Sequence, residues 1–315
     1  MTKLSDIKKT KLDRKLSNKI SMYIVIVIFI TLCILLGLIL DTLLKTMVVF
    51  TIIFGLFSLF QVLFGLSVVD KIIIRLMRLK SNDKTIEPEV KSTKDLLNEL
   101  KTSLNIQSDV ELMLIDSPSV NTLSVGRGEH THTICITSGA LKKLQPEELK
   151  AIFLHELYHI IHKDTDYLTT VSGTFGSPML IYELSREKIA KLRKIWNEGK
   201  INRQKVANGI ALYATIAAFS SIFIPLSFLS NIFVSVRKEF DADFFAAEIL
   251  GKEVMIKLLS KAMENCHKFD TKFSFIRYHF FVDPNCADAQ GKMNFISGTY
   301  PSIEERIKHL ENKLI

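Results

Sequence analysis

Two stretches near the start of the chain consist mainly of apolar residues and contain no charge. They cover residues 23–40 and 46–69. As helices rising about 1.5 Å per residue, both are long enough to cross a hydrocarbon layer of about 30 Å. A cleaved signal peptide fits the first stretch poorly, since its apolar run exceeds the usual length of about 7–15 residues and no small-residue cleavage site follows. The pattern predicts a transmembrane hairpin over residues 23–70.

Basic residues stand on the outer flanks of this hairpin. Seven precede it within residues 1–22, four follow it, and the short connection between the two stretches holds only Lys45. They are Lys3, Lys8, Lys9, Lys11, Arg14, Lys15 and Lys19 before the hairpin, and Lys71, Arg75, Arg78 and Lys80 after it. The positive-inside rule predicts that both ends of the hairpin lie in the cytoplasm, with residues 1–22 as a basic cytoplasmic N-terminus.

This topology accounts for much of the formal net charge of +8. A basic chain can also bind nucleic acid, but here many of the cations stand beside the apolar spans. We therefore expect the lipid bilayer, and no nucleic acid, among the partners. The N-terminal cations are also placed to contact anionic lipid headgroups.

Beyond the hairpin the apolar positions fall into shorter patterns. Residues 71–109 predict a cytoplasmic helical connector, because leucines recur there at helical spacing. Three runs rich in apolar and β-branched residues then predict strands, at residues 110–116, 121–128 and 132–139. The rest of the chain is mixed polar and apolar, and we expect it to be mainly helical.

The next pattern is helical and carries a His-Glu-x-x-His motif. Pro146 stands at a first helical position, with acidic residues in the first turn and basic residues in the last, so a helix is predicted over residues 146–163. His155 and His159 share a face, where two imidazoles can hold one Zn²⁺. Glu156 can reach a water at the metal and act as general base. The motif alone is only moderately specific, because an ordinary polar face of a helix can carry the same residues at the same spacing.

A second acidic stretch, "RKEFDADFFAA", follows about 80 residues later. On a helix Glu239 and Asp243 share a face, and a catalytic zinc needs a third protein ligand. Glu239 is the better third ligand because its side chain is longer, whereas Asp243 can accept the free N–H of a ligand histidine. The alternative is a solvated face in which the acids pair with Arg237 and Lys238. Phenylalanines on the same helix favour packing, and packed acids need a cation or a metal.

Two more segments are apolar enough to associate with the membrane, at residues 167–182 and 208–234. If the second crossed alone, His155 and Glu239 would lie on opposite sides of the membrane and could not share a metal. Either both segments cross as a pair, or neither crosses fully and irregular backbone is buried within the protein. The sequence leaves both arrangements open.

Three motifs in this order resemble those of the HtpX-like membrane metallopeptidases, relatives of the CAAX prenyl endopeptidases. They are "NTLSVGRG" followed by the helix with "LHELYH", then "VRKEFDADFFAAEI", then "YPSIEERIKHL". The resemblance covers about residues 110–315, beside an N-terminal hairpin that the family also has. It implies a gluzincin with one Zn²⁺ per chain, with His155, His159 and Glu239 as ligands, Glu156 as base and Asp243 behind a ligand histidine.

The resemblance also implies a fold and an activity. The fold is an α-helical integral membrane protein with an α+β zincin-like catalytic domain at residues 110–315. The activity is that of a zinc-dependent endopeptidase that hydrolyses membrane or membrane-proximal polypeptides at the cytoplasmic side of the cell membrane. A membrane-bound zinc-domain sensor, and a protease that processes peptide precursors such as pheromones or bacteriocins, are the alternatives.

The resemblance extends to two weaker assignments. The family places a histidine where Tyr300 stands; Tyr300 can donate a hydrogen bond to an oxyanion, with Arg306 adding charge. The alternative makes Tyr300 a packing residue and Arg306 part of a structural ion pair. An edge strand of the family binds extended substrate through main-chain hydrogen bonds. The substrate-binding residues here are then Asn121, Thr122, Leu123 and Ser124.

The four cysteines show no Cys-x-x-Cys spacing. A cytoplasmic domain is kept reduced, so we expect free thiols and no cysteine zinc site. They are Cys33, Cys135, Cys266 and Cys286.

Overall fold

The first two helices form an apolar hairpin. Helix α1 spans Thr2–Leu44 and helix α2 spans Val49–Met77. By length and composition Lys15–Leu44 and Val49–Met77 can each cross a membrane, and no other helix among the described residues meets that test. Apolar side chains along the hairpin point outward, as for Leu56, which is 65% exposed. The predicted hairpin is confirmed as two helices of spanning length whose outer surface fits lipid chains.

The structure is a computed structural model that describes residues 2–77, 87–128, 131–198, 203–229, 233–269, 276–286 and 301–313. After the hairpin come α3 (Glu87–Ser103), β1 (Asp109–Ile115), β2 (Thr122–Arg127), β3 (Thr131–Thr137), α4 (Ser138–Lys143), α5 (Pro146–Ile161), α6 (Asp164–Val171), a π-helical turn (Ser172–Gly176), α7 (Ser177–Glu198), α8 (Arg203–Ser221), α9 (Ile224–Phe228), α10 (Val236–Leu250), α11 (Lys252–Glu264) and α12 (Ile303–Asn312). The predicted strands and the predicted motif helix are confirmed within about two residues at each end.

The three strands form one small sheet in the order β1-β3-β2. Strand β1 pairs with β3 in parallel, and β2 pairs with β3 antiparallel, with Leu123 opposite Cys135. Strand β2 is therefore an edge of the sheet, as the sequence predicts for the segment that contains it. Strand β2 packs against α6 and α5.

Helix α5 lies at the centre of the main core. A capping box between Gln145 and Glu148 and a proline in the first turn fix its start. From Ala151 to Ile160 every side chain is buried, and the helix packs on α3, α10 and α11. A helix buried on all sides can hold polar residues only where those residues have partners. The motif residues of α5 therefore lie in a closed and preorganised environment.

The segment at residues 167–182 is helical throughout, but a π-helical turn interrupts its α-helical hydrogen bonding. Helix α6 ends at Val171, the π-helical turn follows, and all residues from Asp164 to Pro178 are buried within the protein. Gly65 and Gly173 bring α2 and the π-helical turn into contact, since a Cβ added at either glycine would overlap the backbone of the other.

The segment at residues 208–234 is divided between two helices. It forms most of α8, which pairs with α7, and then the short α9. Neither this segment nor residues 167–182 is among the helices of spanning length and composition in the described chain.

The expectation of free thiols is wrong for two of the four cysteines. Cys266 and Cys286 form a disulfide, while Cys33 and Cys135 are free and buried. The two bonded residues are 20 positions apart with a Cα–Cα distance of 5.7 Å. Spacing along the chain does not reveal this pair, because it is the return of residues 276–286 to the end of α11 that brings the sulfurs together.

Candidate metal centre

Helix α5 presents three polar residues of the motif on one buried surface. His155 and Glu156 are each 1% exposed and His159 is 6% exposed. The spacing of four residues places the two histidines next to each other on one face, and their Nε2 atoms lie 3.2 Å apart. Two imidazole nitrogens directed at one point in a buried site form half of a metal-binding arrangement.

Helix α10 crosses α5 and supplies a carboxylate to the same point. Glu239 Oε2 lies 3.4 Å from His155 Nε2, and Glu239 Oε1 lies 3.6 Å from His159 Nε2. The ligand atoms of these three residues lie within 4.8 Å of one another, as one metal ion requires. Glu239 Oε2 is buried and has no hydrogen-bond partner among the described residues. A buried carboxylate oxygen without a partner is costly, and a bound cation would satisfy it.

Each histidine is held from behind by an aspartate. His155 Nδ1 lies 2.9 Å from Asp243 Oδ1, and His159 Nδ1 lies 3.3 Å from Asp164 Oδ2. A carboxylate at Nδ1 favours the tautomer with its proton on Nδ1, which leaves the Nε2 lone pair free for a metal. The residues present therefore fit a metal ion with a His, His, Glu ligand set.

Asp164 is a residue that sequence reasoning missed. It begins α6, five positions after His159, and its carboxylate also pairs with Lys238 at 2.8 Å. Lys163 adopts a left-handed backbone with φ of 63°, so the chain turns sharply between α5 and α6. This turn places the Asp164 carboxylate beside His159 Nδ1. In the sequence, the indication of this role is an acidic residue that closely follows the His-Glu-x-x-His motif.

The charges of this centre shift several pKa values. Burial opposes ionisation of His155, but its bonds to Asp243 and Glu239 outweigh burial and raise its pKa to about 9. Burial alone would raise the pKa of Asp243, yet Arg306 and His155 lower it to about 2. The pKa of Glu239 is also lowered against the effect of burial, mainly by the two histidines. Both acids are therefore carboxylates at neutral pH, as a metal centre needs.

Arg306 lies behind Asp243 and is fully buried. Its Nε and Nη2 atoms donate to the two oxygens of Asp243 at 2.6 Å each, and Nη1 donates to the carbonyl of Phe281. Nη1 lies 4.0 Å from Glu239 Oε2. This geometry corresponds to the structural ion pair that was the alternative for this residue. Tyr300 lies outside the described residues.

Strand β2 contacts the general-base candidate directly. Thr122 Oγ1 donates a hydrogen bond of 2.7 Å to Glu156 Oε1 and so fixes the orientation of that carboxylate. Ser124 contacts Thr165 of α6 at 3.1 Å. All four predicted substrate-strand residues are buried, at 0–4% exposure, namely Asn121, Thr122, Leu123 and Ser124.

The outer edge of β2 is covered by the chain itself. Phe281 N donates to the carbonyl of Thr122 at 2.8 Å, Phe280 forms a bridge with Leu123, and His279 Nδ1 donates to the carbonyl of Ser124 at 2.9 Å. The segment 276–286 thus runs along the predicted substrate edge. We name it the edge segment.

The edge segment also closes the space over the metal centre. The cavity there measures about 10 Å³, with Tyr278, His279 and Phe280 among its walls. This volume holds about one water molecule at most. Burial lowers the pKa of His279 to about 4, so this wall residue is neutral at pH 7.

A buried His, His, Glu cluster with a glutamate beside the first ligand and an aspartate behind each histidine defines a site of the metallopeptidase class. Residues 88–314 match the profile of peptidase family M48. Because the match covers more than half of the chain, this chain belongs to peptidase family M48. Membership makes it a metalloprotease of the HtpX-like kind, which implies a metal ion and a polypeptide substrate.

The chain is also similar to individual proteins, and the two HtpX relatives among them agree with this placement. The chain is 23% identical over 253 residues to the protease HtpX of Wigglesworthia glossinidia brevipalpis, covering 78% of this chain and 83% of that protein. It is 26% identical over 252 residues to a protease HtpX homologue of Burkholderia thailandensis, covering 76% of this chain and 79% of that protein. Among solved structures, Ste24p of S. mikatae aligns with a TM-score of 0.41 and 15% identity, over 95% of this chain and 66% of that one.

Proposed function

We propose that this chain is an integral-membrane zinc endopeptidase that hydrolyses peptide bonds in membrane or membrane-proximal polypeptides. The observation that carries the proposal is the meeting of α5 and α10 at one point. There His155, His159 and Glu239 converge, and Glu239 Oε2 has no hydrogen-bond partner in the described chain. A sensor that only binds a metal does not need a general base beside the ligands, whereas Glu156 is buried in this position.

One Zn²⁺ per chain would be held by His155 Nε2, His159 Nε2 and the Glu239 carboxylate. When bound, zinc acts as a Lewis acid that polarises a carbonyl and makes water nucleophilic at neutral pH. The aspartates behind the histidines keep both imidazoles in the metal-binding tautomer. Arg306 holds Asp243 in turn and acts as a positioning residue.

Glu156 carries the proton transfers of this mechanism. Its carboxylate accepts the proton of the attacking water and delivers it to the nitrogen of the leaving amine. Because Thr122 Oγ1 already donates to Oε1, the other oxygen, Oε2, is the one assigned to the water. Tyr300 remains the proposed hydrogen-bond donor to the oxyanion.

The proposed substrate strand, Asn121 to Ser124, requires one movement. An extended polypeptide can pair with this edge only after the edge segment leaves it, since Phe281 and His279 hold the carbonyls of Thr122 and Ser124. We propose that productive substrate displaces the edge segment. The closed state would protect cellular polypeptides from an active protease.

The proposed placement in the cell follows the charge pattern. The hairpin over residues 23–70 crosses the cell membrane, with residues 1–22, the connector at 71–109 and the metallopeptidase domain at 110–315 on the cytoplasmic side. The HtpX relatives are proteases of bacteria, which fits the cytoplasmic membrane of a bacterial cell.

The test is zinc content together with cleavage by the full chain in detergent. Wild type should hold about one zinc and cut casein, Glu156→Gln should keep the zinc and lose cleavage, and Glu239→Ala should lose both. Zinc content that is indifferent to Glu239→Ala would show that the third ligand is assigned wrongly. Zinc binding without turnover on any added polypeptide would favour the sensor, and turnover restricted to one short precursor would favour peptide processing.

A further inference from the structure

A second and larger cavity opens between residues 15–26 of α1 and the start of α6. Its volume is about 680 Å³, and its walls share no residue with the cavity over the metal centre. One end is lined by the cations Lys15, Lys19, Arg127 and Lys163 together with the acid Asp166. The metallopeptidase mechanism uses none of these side chains.

The acid at this end is already neutralised by neighbours. Asp166 Oδ2 accepts from the backbone N–H of Gly128 at 2.7 Å, and Asp166 Oδ1 lies 2.9 Å from His132 Nε2. Lys163 Nζ lies 3.5 Å from Asp166 and also donates to the carbonyl of Gly128. Asp166 and Lys163 thus belong to one closed network.

The other three cations have no such partners. Lys15, Lys19 and Arg127 make no hydrogen bond or ion pair with any residue that the structure describes, and only longer-range attraction from Asp70 and Asp166 acts on Arg127. Among the lining residues, four cations and one acid leave three surplus positive charges, of which Asp70 nearby offsets a part at Arg127. A partly buried guanidinium without a hydrogen-bond partner can bind an anion through two parallel hydrogen bonds.

The rest of the cavity is apolar and follows the membrane helix. Met22, Tyr23 and Ile26 of α1 and Leu66 of α2 line it. From Lys15 to Ile26 the helix rises about 16 Å. The cavity therefore changes from cationic to apolar along the direction in which α1 enters the membrane, as the headgroup and acyl chain of a phospholipid do.

We propose that this cavity binds one anionic phospholipid, with its phosphate at Lys15, Lys19 and Arg127 and an acyl chain along Met22 and Ile26. Charge complementarity selects an anionic over a zwitterionic lipid. The site lies beside Asn18, whose amide bonds to Asp164 of α6. A bound lipid would therefore hold α1 against α6. The proposal needs the hairpin to be in a membrane and does not depend on zinc chemistry.

Native mass spectrometry of the full chain in detergent tests this. Phosphatidylglycerol and phosphatidylcholine with the same acyl chains are titrated against wild type, Lys15→Gln/Lys19→Gln and Arg127→Gln. The control is Lys142→Gln/Lys308→Gln, which removes the same charge from two exposed lysines elsewhere. We expect wild type and control to prefer phosphatidylglycerol, and the Lys15→Gln/Lys19→Gln variant to bind it about tenfold more weakly.

Three outcomes would overturn the proposal. They are equal binding of both lipids by wild type, unchanged phosphatidylglycerol affinity in the lysine and arginine variants, and complete displacement of the lipid by inorganic phosphate. The last would mean that a free anion is the ligand. If the glutamine variant does not fold, Lys15→Arg/Lys19→Arg keeps the charge and should bind phosphatidylglycerol as wild type does; its failure to bind would also count against the site.

Discussion

The side-chain amide of Asn18 in α1 donates a hydrogen bond of 2.8 Å to Asp164 Oδ1 in α6, across 146 positions of the chain. The same amide donates to the carbonyl of His162, and Lys238 contacts both Asn18 and Asp164. Because Asp164 also faces His159, the first apolar helix lies one hydrogen bond away from the carboxylate behind this proposed metal ligand. The hairpin is thus part of the support of the candidate metal centre as well as the proposed membrane anchor.

The first prediction concerns Asp164. Asp164→Asn removes the charge that orients His159 and stabilises its Nδ1 proton, so zinc affinity should fall about 10–100-fold. A chelator competition titration measures this. Asp116→Asn is the control, since Asp116 is exposed and its side chain makes no hydrogen bond or ion pair within the described residues. Unchanged zinc affinity in Asp164→Asn would mean that the aspartate supports only the turn after α5.

The second prediction separates two roles of Arg306. If Arg306 is the partner of Asp243, Arg306→Met leaves the buried Asp243 carboxylate without its guanidinium partner and should cost about 3–5 kcal/mol of stability, with loss of zinc. Chemical unfolding and zinc content measure these effects. Arg186→Gln breaks an exposed ion pair with Glu183 and should cost less than about 1 kcal/mol. A variant that keeps its stability and zinc but loses turnover would instead place Arg306 at the reacting carbonyl.

The third prediction is a pH dependence at the start of the motif helix. Burial alone would raise the pKa of Glu148, but Lys261, the backbone of Gln145 and Lys257 lower it below its ordinary value. A lowered pKa means that this carboxylate stabilises the fold at pH values above the pKa of an ordinary glutamate. The stabilisation is lost as the pH falls below that pKa. Glu148→Gln should therefore cost about 2 kcal/mol at pH 7 and progressively less below about pH 4.

Glu147→Gln is the matched control for that experiment. Glu147 is one residue away on the same turn, but it is exposed and its ion pair within the described residues is with Lys150 on the surface. Unfolding midpoints of both variants are compared with wild type across the pH range. Equal costs for the two variants, or a Glu148→Gln cost that does not change with pH, would contradict the assignment.

The fourth prediction concerns the compartment of the catalytic domain. Disulfides persist in oxidising compartments, whereas the cytoplasm keeps thiols reduced. If the domain lies in the cytoplasm, Cys266 and Cys286 should both react with maleimide in quenched cells and should pair only after purification in air. A background with Cys33→Ser and Cys135→Ser restricts the label to this pair. Protection of both sulfurs in quenched cells would place the domain on the other side of the membrane.

The metal centre was predictable as far as local spacing defines it. His155 and His159 share a face on any helix, and the same reasoning paired Glu239 with Asp243. Asp164 was not predictable in this way, because its position depends on the left-handed turn at Lys163 and not on helical spacing.

The sheet and the hairpin were predictable for the same local reason, since strand alternation and apolar length are properties of short windows. The disulfide and the cover over β2 were not, because both come from the return of the edge segment across the molecule. Its contacts with Asn121 join residues 161 positions apart. No pattern within a short window of sequence contains that information.

The last prediction tests whether the edge segment restrains activity. The Asn121 side chain makes two hydrogen bonds to the backbone of Val282. Its Nδ2 donates to the carbonyl at 2.9 Å, and its Oδ1 accepts from the N–H at 3.1 Å. Val282→Pro removes this N–H and should loosen the segment, so cleavage of casein should rise severalfold at unchanged zinc content. Val282→Ala is the control, because it removes similar packing and keeps the N–H. If Val282→Pro instead loses zinc or cleaves more slowly than Val282→Ala, the segment supports the metal centre and does not restrain it.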